Sequence, residues 1–525
     1  MEAKNKHNTY NTLFHWHSFR LKLVIEGIVV GVITGLLVVL YRFSLENAGI
    51  IISQVYKTLW TRPMLIPVWI GALILIGYIV GLLVKHEPMI SGSGIPQVEG
   101  VLLRKLDMTW WKVIIGKFVG GFLAIGSGLS LGREGPSVQL GAAVGQGFSK
   151  VLKRIKIEEK YLITSGASAG LAAAFNAPLA GAMFALEEVH KNFSPLVLLS
   201  ALSAALSADV VASQFFGLKP VLDFKSLTVL PLKFYFYIIL LGVIIGLLGV
   251  LFNITLLKTQ DLYANQHWLP QQFRVIIPLL FSIIMGLYLP QVLGGGHGLI
   301  TSLVASDNFP LIFLLVLVLV KFLFTMACYG SGAPGGIFLP LLAIGALLGN
   351  VYGVVLVQFF HFDSIYINNF IILAMAGYFS AIVRSPITGT ILITEMTGSF
   401  SNLLSLATVS IAAYIVADLI GSKPIYESLL RKFLHKQGEH IVGNEKNKSI
   451  LEFAVCMGSM LDGKQIKAIE WPSNCLLVAV KRGEQEIIPK GDTVIYPGDY
   501  LIVLTNEDRS AKINDALTDM AMSED

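Results

Sequence analysis

The chain has 525 residues and a formal net charge of +5, with 14% charged and 54% hydrophobic residues. Because ordinary soluble domains carry about 25% charged residues, this composition excludes a wholly soluble protein. The positive charge is too diffuse to indicate a nucleic-acid partner, since scattered basic residues are typical of the cytoplasmic lipid interface. Three cysteines, Cys328, Cys456 and Cys475, lack CxxC spacing and predict neither a disulfide framework nor a metal site.

The predicted elements of the first 430 residues are apolar helices of two lengths. Polar residues 1–20 carry no signal-peptide pattern, and their basic side chains favour a cytoplasmic N-terminus. Runs of about 20 apolar residues, long enough to cross a bilayer, begin at Leu23, Leu65, Phe234, Ile276 and Phe309. Shorter pieces broken by glycine and proline lie at 113–131, 137–148, 162–189 and 370–394. This alternation predicts a polytopic membrane protein with full spans and part-spans.

Two halves of the apolar region repeat one another. KFVGGFLAIGSGLSLGREGPSVQLGAAVG from Lys117 aligns without a gap with KFLFTMACYGSGAPGGIFLPLLAIGALLG from Lys321. Lys-Phe, Gly-Ser-Gly, a later glycine, a proline and Gly-Ala all fall in register. We therefore expect two repeats, at about 21–217 and 225–426, and such duplication is typical of transporter folds.

Further pairs of segments extend the repeat. FNAPLAGAMFALEE from Phe175 resembles VRSPITGTILITEM from Val383, and SGSGI from Ser91 has a weaker echo in GGHGL from Gly295. Glycine- and proline-broken segments at matching positions of two halves indicate a transport site near the bilayer midplane, built from the ends of discontinuous helices.

Two of the broken segments, GREGP at 132–136 and GGIFLP at 335–340, favour an anion. A helix that begins inside the membrane presents unpaired N–H groups and the positive end of its dipole. Irregular backbone at this depth is tolerated where it lines a cavity. Plain kinks and an Arg133–Glu134 ion pair are alternative explanations, but the in-register duplication favours a functional site.

Four motifs, GSGIP at 92–96, GREGP at 132–136, GIFLP at 336–340 and KPIY at 423–426, resemble the signatures of the CLC family of chloride channels and proton-coupled chloride antiporters. The resemblance covers about residues 20–430. It implies an all-α polytopic domain at 21–430 with two inverted-topology repeats and broken helices. It also implies a homodimer with one anion pathway per subunit, in a cell inner (cytoplasmic) membrane with both termini cytoplasmic, and no cofactor.

The resemblance also assigns chloride-binding residues. Ser93 and Tyr426 match hydroxyl donors to the central anion, and Ile337 and Phe338 match donors of backbone N–H groups. All four are neutral donors, so chloride can bind and leave again. The remaining filter positions are Gly92, Gly94, Ile95, Pro96, Gly132, Arg133, Gly135, Pro136, Gly336, Leu339 and Pro340.

Two glutamates match the proton-handling positions of the family. Glu134 matches the external gating glutamate, which occupies the anion site when ionised and leaves it when protonated, while Arg133 is expected to support the loop. In FALEEVH at 184–190, Glu188 matches the internal proton-transfer glutamate of the antiporters. Glu187 is explained more simply as a solvated residue at a helix end, and Glu395, its equivalent in the second half, as structural.

These matches favour exchange of chloride for protons, with a passive gated chloride channel as the alternative. Ser93 and Pro136 keep the chloride-type form of their motifs, which disfavours fluoride export. A soluble nucleotide-binding enzyme is disfavoured as well, because GREGPS lacks the GKS or GKT of a P-loop and lies between apolar segments.

The last part of the chain predicts a small soluble α+β domain. After a polar linker at 431–448, residues 449–525 contain the strand-like runs NCLLVAV, EIIP and DYLIVL, separated by the turn signals RGEQ and YPGD. PKGDTVIYPGD at 489–499 resembles the TrkA-C lobe of potassium-conductance regulators. The resemblance implies a regulatory domain that binds a small cytoplasmic ligand such as a cyclic dinucleotide; an assembly module without a ligand is the alternative.

Overall fold

The computed structural model describes residues 2–191, 193–222, 224, 227–266, 268–305, 309–436, 448–483, 485–506 and 510–522. The chain divides into two compact units, Met1–Phe433 and Leu434–Asp525. The expected linker at 431–448 falls partly on α-helix, while its residues 437–447 lie outside the described residues.

Helices of very different length build the first half of the larger unit. In chain order they are α1 (Glu2–Thr61), α2 (Ile66–His86), α3 (Ile95–Leu102), α4 (Trp110–Gly126), α5 (Glu134–Val151), α6 (Lys156–Phe175), α7 (Pro178–Phe184) and α8 (Pro195–Phe216). A π-helical turn, Ala185–His190, continues α7. Proline stands in the first turn of α3, α7 and α8, where its missing N–H is no loss and its fixed φ suits a helix start.

The second half repeats this order of long and short helices. Its helices are α9 (Tyr235–Ala264), α10 (Ile276–Tyr288), α11 (His297–Ala305), α12 (Leu311–Gly330), α13 (Phe338–Phe360), α14 (Ile367–Val383), α15 (Pro386–Thr397) and α16 (Leu403–Leu419). The amphipathic helix α17 (Ile425–Lys436) follows and includes Tyr426. The predicted repeat is therefore confirmed element by element, since the short α3 and α7 correspond to the short α11 and α15.

Within the described residues, nine helical segments are long and apolar enough to cross a membrane. They are Leu21–Thr61, Pro63–His86, Pro195–Phe216, Leu232–Ala264, Gln271–Tyr288, Leu311–Gly330, Phe338–Phe360, Ser364–Val383 and Phe400–Leu419. Each of the five long runs expected from the sequence overlaps one of these segments. The prediction of a polytopic membrane protein is confirmed.

The two halves run past each other in opposite directions. Gly132 and Gly336, which the repeat makes equivalent, exchange both backbone hydrogen bonds at 2.7 Å in an isolated antiparallel pair. An antiparallel pairing between equivalent residues requires an approximate two-fold axis across the chain direction. The two halves are thus related by a local two-fold axis, as expected for inverted repeats.

Two buried lysines show the same two-fold relation and correct one alignment. Lys117 Nζ donates to the carbonyls of Ile90 and Gly92 at 2.9 and 2.7 Å, and the equivalent Lys321 donates to Val292 and Gly294, both at 2.8 Å. The structural equivalent of Gly92 is therefore Gly294. The register expected from SGSGI and GGHGL is wrong by two residues, because the weak glycine pattern allows either alignment.

Helices around the centre of the membrane unit are buried on almost every side. Small residues let their backbones approach closely, as is usual between membrane helices. A Cβ on Gly166 of α6 would lie 2.0 Å from the carbonyl oxygen of Gly141 on α5, so glycine is required at this crossing. The same holds in the second half, where a Cβ on Gly349 of α13 would lie 2.3 Å from Phe370 O on α14.

The second unit is a four-stranded antiparallel sheet with one helix. The strands β1 (Lys448–Ala454), β2 (Cys475–Arg482), β3 (Gln485–Ile487) and β4 (Asp499–Asn506) lie in the order β1-β4-β2-β3, followed by α18 (Ser510–Ala521). The three strand-like runs named from the sequence are confirmed as β2, β3 and β4. The strand β1 is not among the runs expected from the sequence, because KSILEFA does not alternate between apolar and polar residues.

An ion pair joins the two central strands of this sheet, β2 and β4, at one end. Arg482 donates to both carboxylate oxygens of Asp499, at 2.8 and 2.7 Å, and Asp499 also accepts from the N–H of Tyr496. Burial acts to raise the pKa of Asp499, but these hydrogen bonds hold it below its ordinary value. The PGD turn before β4 is thereby tied to the end of β2.

Candidate functional site

Three of the four motifs meet through backbone hydrogen bonds. The carbonyl of Gly92 accepts from the N–H of Gly335 at 2.9 Å as well as from Lys117. Gly132 and Gly336 form the mutual pair described above. Segments more than 200 residues apart in sequence are thus held together. The fully buried Lys117 donates hydrogen bonds to the carbonyls of Ile90 and Gly92, which lie outside the α-helices.

Two hydroxyl groups at this junction make no hydrogen bond of standard geometry to a described residue. Ser93 and Tyr426 are 1% and 0% exposed, yet neither Ser93 Oγ nor Tyr426 Oη makes a hydrogen bond of standard geometry. Buried polar atoms are nearly always paired, because an unpaired one costs about 1–3 kcal/mol. These two orphaned donors fit an anion, which accepts hydrogen bonds and offers none.

The start of α13 adds backbone donors. Ile337 stands just before the helix and Phe338 is its first residue, and the first N–H groups of an α-helix have no intrahelical partner. The ring of Phe338 packs against Phe184 with centroids 5.9 Å apart, and Phe184 packs against Tyr426 at 6.4 Å. An apolar aromatic cluster thus connects Phe338 with Tyr426, and the structure brings these two predicted residues into one neighbourhood.

Glu134 is the first residue of α5 and is completely buried. Neither of its carboxylate oxygens has a hydrogen bond of standard geometry to a described residue. A Cβ on Gly132 would lie 2.2 Å from Glu134 Oε2 and 3.2 Å from the N of Leu339, so in this arrangement the carboxylate occupies space that a side chain at 132 would take. Glu134 therefore lies beside the starts of both α5 and α13, where an anion is favoured.

Arg133 does not pair with Glu134, so the alternative of a simple ion pair between these neighbours is wrong. Its Nη1 donates to Glu46 Oε1 at 3.0 Å, and Glu46 also accepts from Arg42 at 3.0 Å. The two arginines share one partly exposed glutamate at the wall of a cavity of about 890 Å³. Leu339 lines the same cavity, so the filter region borders it.

The other filter residues lie where the motifs turn into helices. Gly94 has a left-handed backbone (φ 89°), and a Cβ there would lie 2.2 Å from Gln139 Oε1, so the position needs glycine for two reasons. Residues of this group that are buried at the start of α3, α5 or α13 are Ile95, Pro96, Gly135, Pro136, Leu339 and Pro340.

Glu188 lies in the π-helical turn after α7 and is 3% exposed. Its Oε2 accepts a hydrogen bond of 3.0 Å from Ser385 Oγ, whereas Oε1 has no partner among the described residues. Tyr426 interacts electrostatically with both Glu188 and Glu134. The phenol therefore belongs to the surroundings of both carboxylates, which the sequence places in separate segments.

Glu187 is partly exposed but not simply solvated, contrary to the explanation drawn from the sequence. Its carboxylate accepts from the N–H groups of Ile387 and Thr388, at 3.3 and 2.8 Å, and from the Thr388 hydroxyl at 2.7 Å. It therefore caps the start of α15. The sequence cannot reveal this contact, because the partners are 200 residues apart.

Glu395 makes the mirror contact. Its carboxylate accepts from the N–H groups of Leu179 and Ala180, at 3.1 and 2.8 Å, and so caps the start of α7. The two glutamates exchange helix caps between the halves. Among the described residues, no group of three or more His, Cys, Asp and Glu side chains could hold a metal ion.

Comparisons with known proteins agree with this geometry. Residues 76–418, more than half of the chain, match the family described as voltage gated chloride channel, and residues 450–518 match the TrkA-C domain. The H(+)/Cl(-) exchange transporter ClcA of Yersinia pestis is 35% identical over 430 residues, which are 79% of this chain and 89% of that protein.

Solved structures show the same similarity. A slow cyanobacterial Cl-/H+ antiporter has a TM-score of 0.74 and 32% identity, covering 79% of this chain and 99% of the other. A CLC-type fluoride/proton antiporter has a TM-score of 0.64 and 26% identity, covering 77% and 97%. The resemblance and the fold class expected from the sequence are confirmed, and the chain belongs to the voltage-gated chloride channel (CLC) family.

Proposed function

We propose that this protein is a secondary active transporter that exchanges chloride for protons across a membrane. The observation that carries the proposal is the pairing of an anion site made of neutral donors with two buried carboxylates, Glu134 and Glu188. Relatives of about 35% identity named H(+)/Cl(-) exchange transporters, together with the Cl-/H+ antiporter structure, support this function over a passive channel.

Chloride is held in this proposal by the hydroxyls of Ser93 and Tyr426 and by the N–H groups of Ile337 and Phe338. Each hydroxyl is buried and makes no hydrogen bond of standard geometry, although the Tyr329 phenol lies close enough to Ser93 to interact with it. Because no fixed positive charge is among the four donors, binding is weak enough for chloride to move on. Lys117 Nζ is already used by the carbonyls of Ile90 and Gly92 and so holds the serine loop in place.

Glu134 is the gate and the outer proton carrier. When ionised, its carboxylate competes with chloride for the positive ends of α5 and α13; when protonated, it loses that attraction and leaves the path open. Gly132 leaves the space that this carboxylate needs. One proton is therefore bound as the carboxylate gives way to chloride, which is the coupling that exchange requires.

Glu188 is the inner proton carrier. It is buried and accepts a hydrogen bond from Ser385, and it interacts electrostatically with Tyr426, which also interacts with Glu134. A proton that enters from the cytoplasmic side can reach Glu188 without passing through the chloride-binding donors. The two ions thus share the outer part of the route and separate on the inner side.

The proposal includes an assembly and a location. The protein forms a homodimer with one pathway in each subunit, in a cell inner membrane with both termini cytoplasmic, as the family resemblance implies. The domain at 449–525 regulates transport by binding a small cytoplasmic ligand, for which a cyclic dinucleotide is one candidate. The match of residues 450–518 to the TrkA-C domain supports this role.

The decisive experiment measures chloride and proton fluxes together in proteoliposomes. The unmodified protein should move protons uphill when a chloride gradient is imposed. Glu134→Gln, which imitates the protonated gate, should conduct chloride without proton movement, and Glu188→Gln should retain chloride movement while proton pumping stops. Glu395→Gln, a carboxylate of the second half that only caps α7, is the matched control and should stay coupled.

If the protein were a passive channel, the unmodified protein would not move protons uphill in a chloride gradient. Chloride flux without any proton counterflow across a range of pH would reject the exchanger and favour a gated channel. Full coupling in Glu188→Gln would keep exchange but reject Glu188 as the inner carrier.

A further inference from the structure

Lys191 joins the proton-carrying segment to the chloride-binding segments. It ends the π-helical turn of Glu188 in a left-handed conformation (φ 54°), and its Nζ donates to Glu99 Oε1 at 2.6 Å. Glu99 lies on α3, the helix that begins just after Ser93. A single ion pair therefore connects the turn that carries Glu188 with the helix of the serine motif.

The pair extends from the buried interior to water. The Glu99 side chain is 3% exposed, whereas the Lys191 side chain is 37% exposed. Lys191 also interacts electrostatically with Glu188 and with Glu427, the residue after Tyr426. One half-exposed cation is thus shared by three carboxylates from three different elements.

The buried carboxylates need this cation. Glu99 and Glu188 interact electrostatically with each other, and each has one oxygen, Glu99 Oε2 and Glu188 Oε1, without a partner among the described residues. Two ionised carboxylates in a dry environment repel each other, and an opposite charge nearby favours ionisation of both. Without Lys191, Glu188 would therefore hold its proton more tightly.

The groups around this site are few. Glu188 is faced by Lys191 and Glu187 from its own segment, by Glu99 from α3 and by Tyr426 from α17, with Ser385 as hydrogen-bond donor. Glu99 also interacts electrostatically with Lys105 and Glu427. On α6, Lys160 interacts electrostatically with His190, and the Thr164 hydroxyl is hydrogen-bonded to the His190 ring. Among these groups, Lys191 is the cation that acts on both buried carboxylates.

We propose that the Glu99–Lys191 pair is a positioning device that sets how readily Glu188 exchanges protons with the cytoplasmic water. The inference rests on the proposed function, in which Glu188 is the inner proton carrier. Neither Lys191 nor Glu99 carries the proton itself. The pair neutralises Glu99, leaves part of the Lys191 charge for Glu188, and holds the turn of Glu188 against α3.

The test is the pH profile of proton flux in proteoliposomes under a fixed chloride gradient. Lys191→Met leaves Glu99 uncompensated beside Glu188 and should shift the profile to higher pH by about 1 unit. Glu99→Gln frees Lys191 for Glu188 and should shift it to lower pH. The double variant removes both charges and should return towards the unmodified profile. A purely structural role would not produce shifts of opposite direction in the two single variants.

Two controls separate charge from folding. Lys191→Arg keeps the charge and should keep the profile even if packing changes. Lys112→Met removes an exposed lysine that lies against Trp111 and should have no effect. Chloride flux, measured in the same vesicles, should fall less than proton flux in both single variants.

The outcomes distinguish this inference from the function on which it rests. An unmodified protein without proton flux would reject the exchanger itself. Normal coupling in the unmodified protein together with unchanged profiles in Lys191→Met and Glu99→Gln would overturn the positioning role. Shifts of both single variants in the same direction would overturn it as well.

Discussion

At the scale of single residues, the anion site depends on groups that have nothing else to bond. Ser93 and Tyr426 are as buried as core side chains, yet their hydroxyls make no hydrogen bond of standard geometry; Thr34, Tyr41 and Ser410 share this property, whereas many other buried hydroxyls are satisfied. Ser168, for example, donates to the carbonyl of Ala201 at 3.0 Å. What distinguishes Ser93 and Tyr426 is their place in the sequence motifs at the starts of α3 and α17.

We expect Ser93→Ala and Tyr426→Phe each to weaken chloride binding by about 2- to 10-fold. Each substitution removes one neutral donor, worth about 0.5–1.5 kcal/mol, and a change of 1.4 kcal/mol is tenfold in affinity. Isothermal titration of the purified protein with chloride measures the effect directly.

The matched controls are hydroxyls that are already paired. Ser168→Ala and Tyr352→Phe remove donors to the carbonyls of Ala201 and Tyr237, so they should affect stability rather than chloride affinity. Equal chloride affinity in Ser93→Ala, Tyr426→Phe and the unmodified protein would reject both residues as ligands.

Sequence motifs predict some residues of the site but give no indication of others. Ser93, Glu134 and Tyr426 lie in short motifs, so their position in the chain is itself the signal. Ser385, which bonds Glu188, has no such signal, because it acts only through a contact between segments 197 residues apart. The role of Glu46 cannot be predicted from the sequence for the same reason, since Arg133 is 87 residues away from it in the chain.

At the scale of helices, the two halves stabilise each other through exchanged caps. Glu187 caps α15 of the second half, and Glu395 caps α7 of the first. Both helices begin with proline, whose missing N–H leaves the next two N–H groups as the ones to be satisfied. The same pseudo-two-fold relation therefore holds for these side-chain caps and for the backbone pair of Gly132 and Gly336.

Glu187→Gln and Glu395→Gln should each destabilise the membrane unit by about 0.5–2 kcal/mol, the usual loss when a helix cap is weakened. A glutamine can satisfy only part of the two N–H groups and carries no charge for the helix dipole. Thermal unfolding of the purified variants measures the loss, and both should keep proton-coupled transport.

The pair is its own control, because the two positions are equivalent while only Glu187 is adjacent to Glu188. Loss of proton coupling in Glu187→Gln but not in Glu395→Gln would contradict a purely structural cap and assign Glu187 to the proton route. Equal stability losses with intact coupling would support the exchanged caps.

Helices and strands were predictable to different degrees. The long apolar runs and the gap-free repeat from Lys117 and Lys321 predicted the order of the membrane helices, since hydrophobicity and breaks are local signals. The register of the second glycine loop was wrong by two residues, because GGGHG offers several equivalent alignments. The strand β1 was missed because its pattern is short and follows a polar stretch.

At the scale of the whole molecule, the transport site and the terminal sheet belong to different compact units. Every proposed chloride and proton residue lies within Met1–Phe433, and the terminal unit Leu434–Asp525 has a hydrophobic core of its own that includes Val480, Ile495 and Leu501. The proposed transport and regulatory roles therefore fall in separate parts of the chain, which truncation can separate.

A chain that ends at residue 442 should still exchange chloride for protons, because it keeps all four motifs, both carboxylates and the Glu99–Lys191 pair. What it should lose is the response to a cytoplasmic ligand of the terminal domain. Cyclic di-AMP, added to the lumen or bath of proteoliposomes, is a suitable probe of this class: it should change the flux of the full chain and leave that of the truncated chain unchanged. Size-exclusion chromatography checks that both chains assemble alike. A truncated protein that is correctly assembled but moves neither ion would contradict the separation, since the terminal domain would then be needed for the pathway itself.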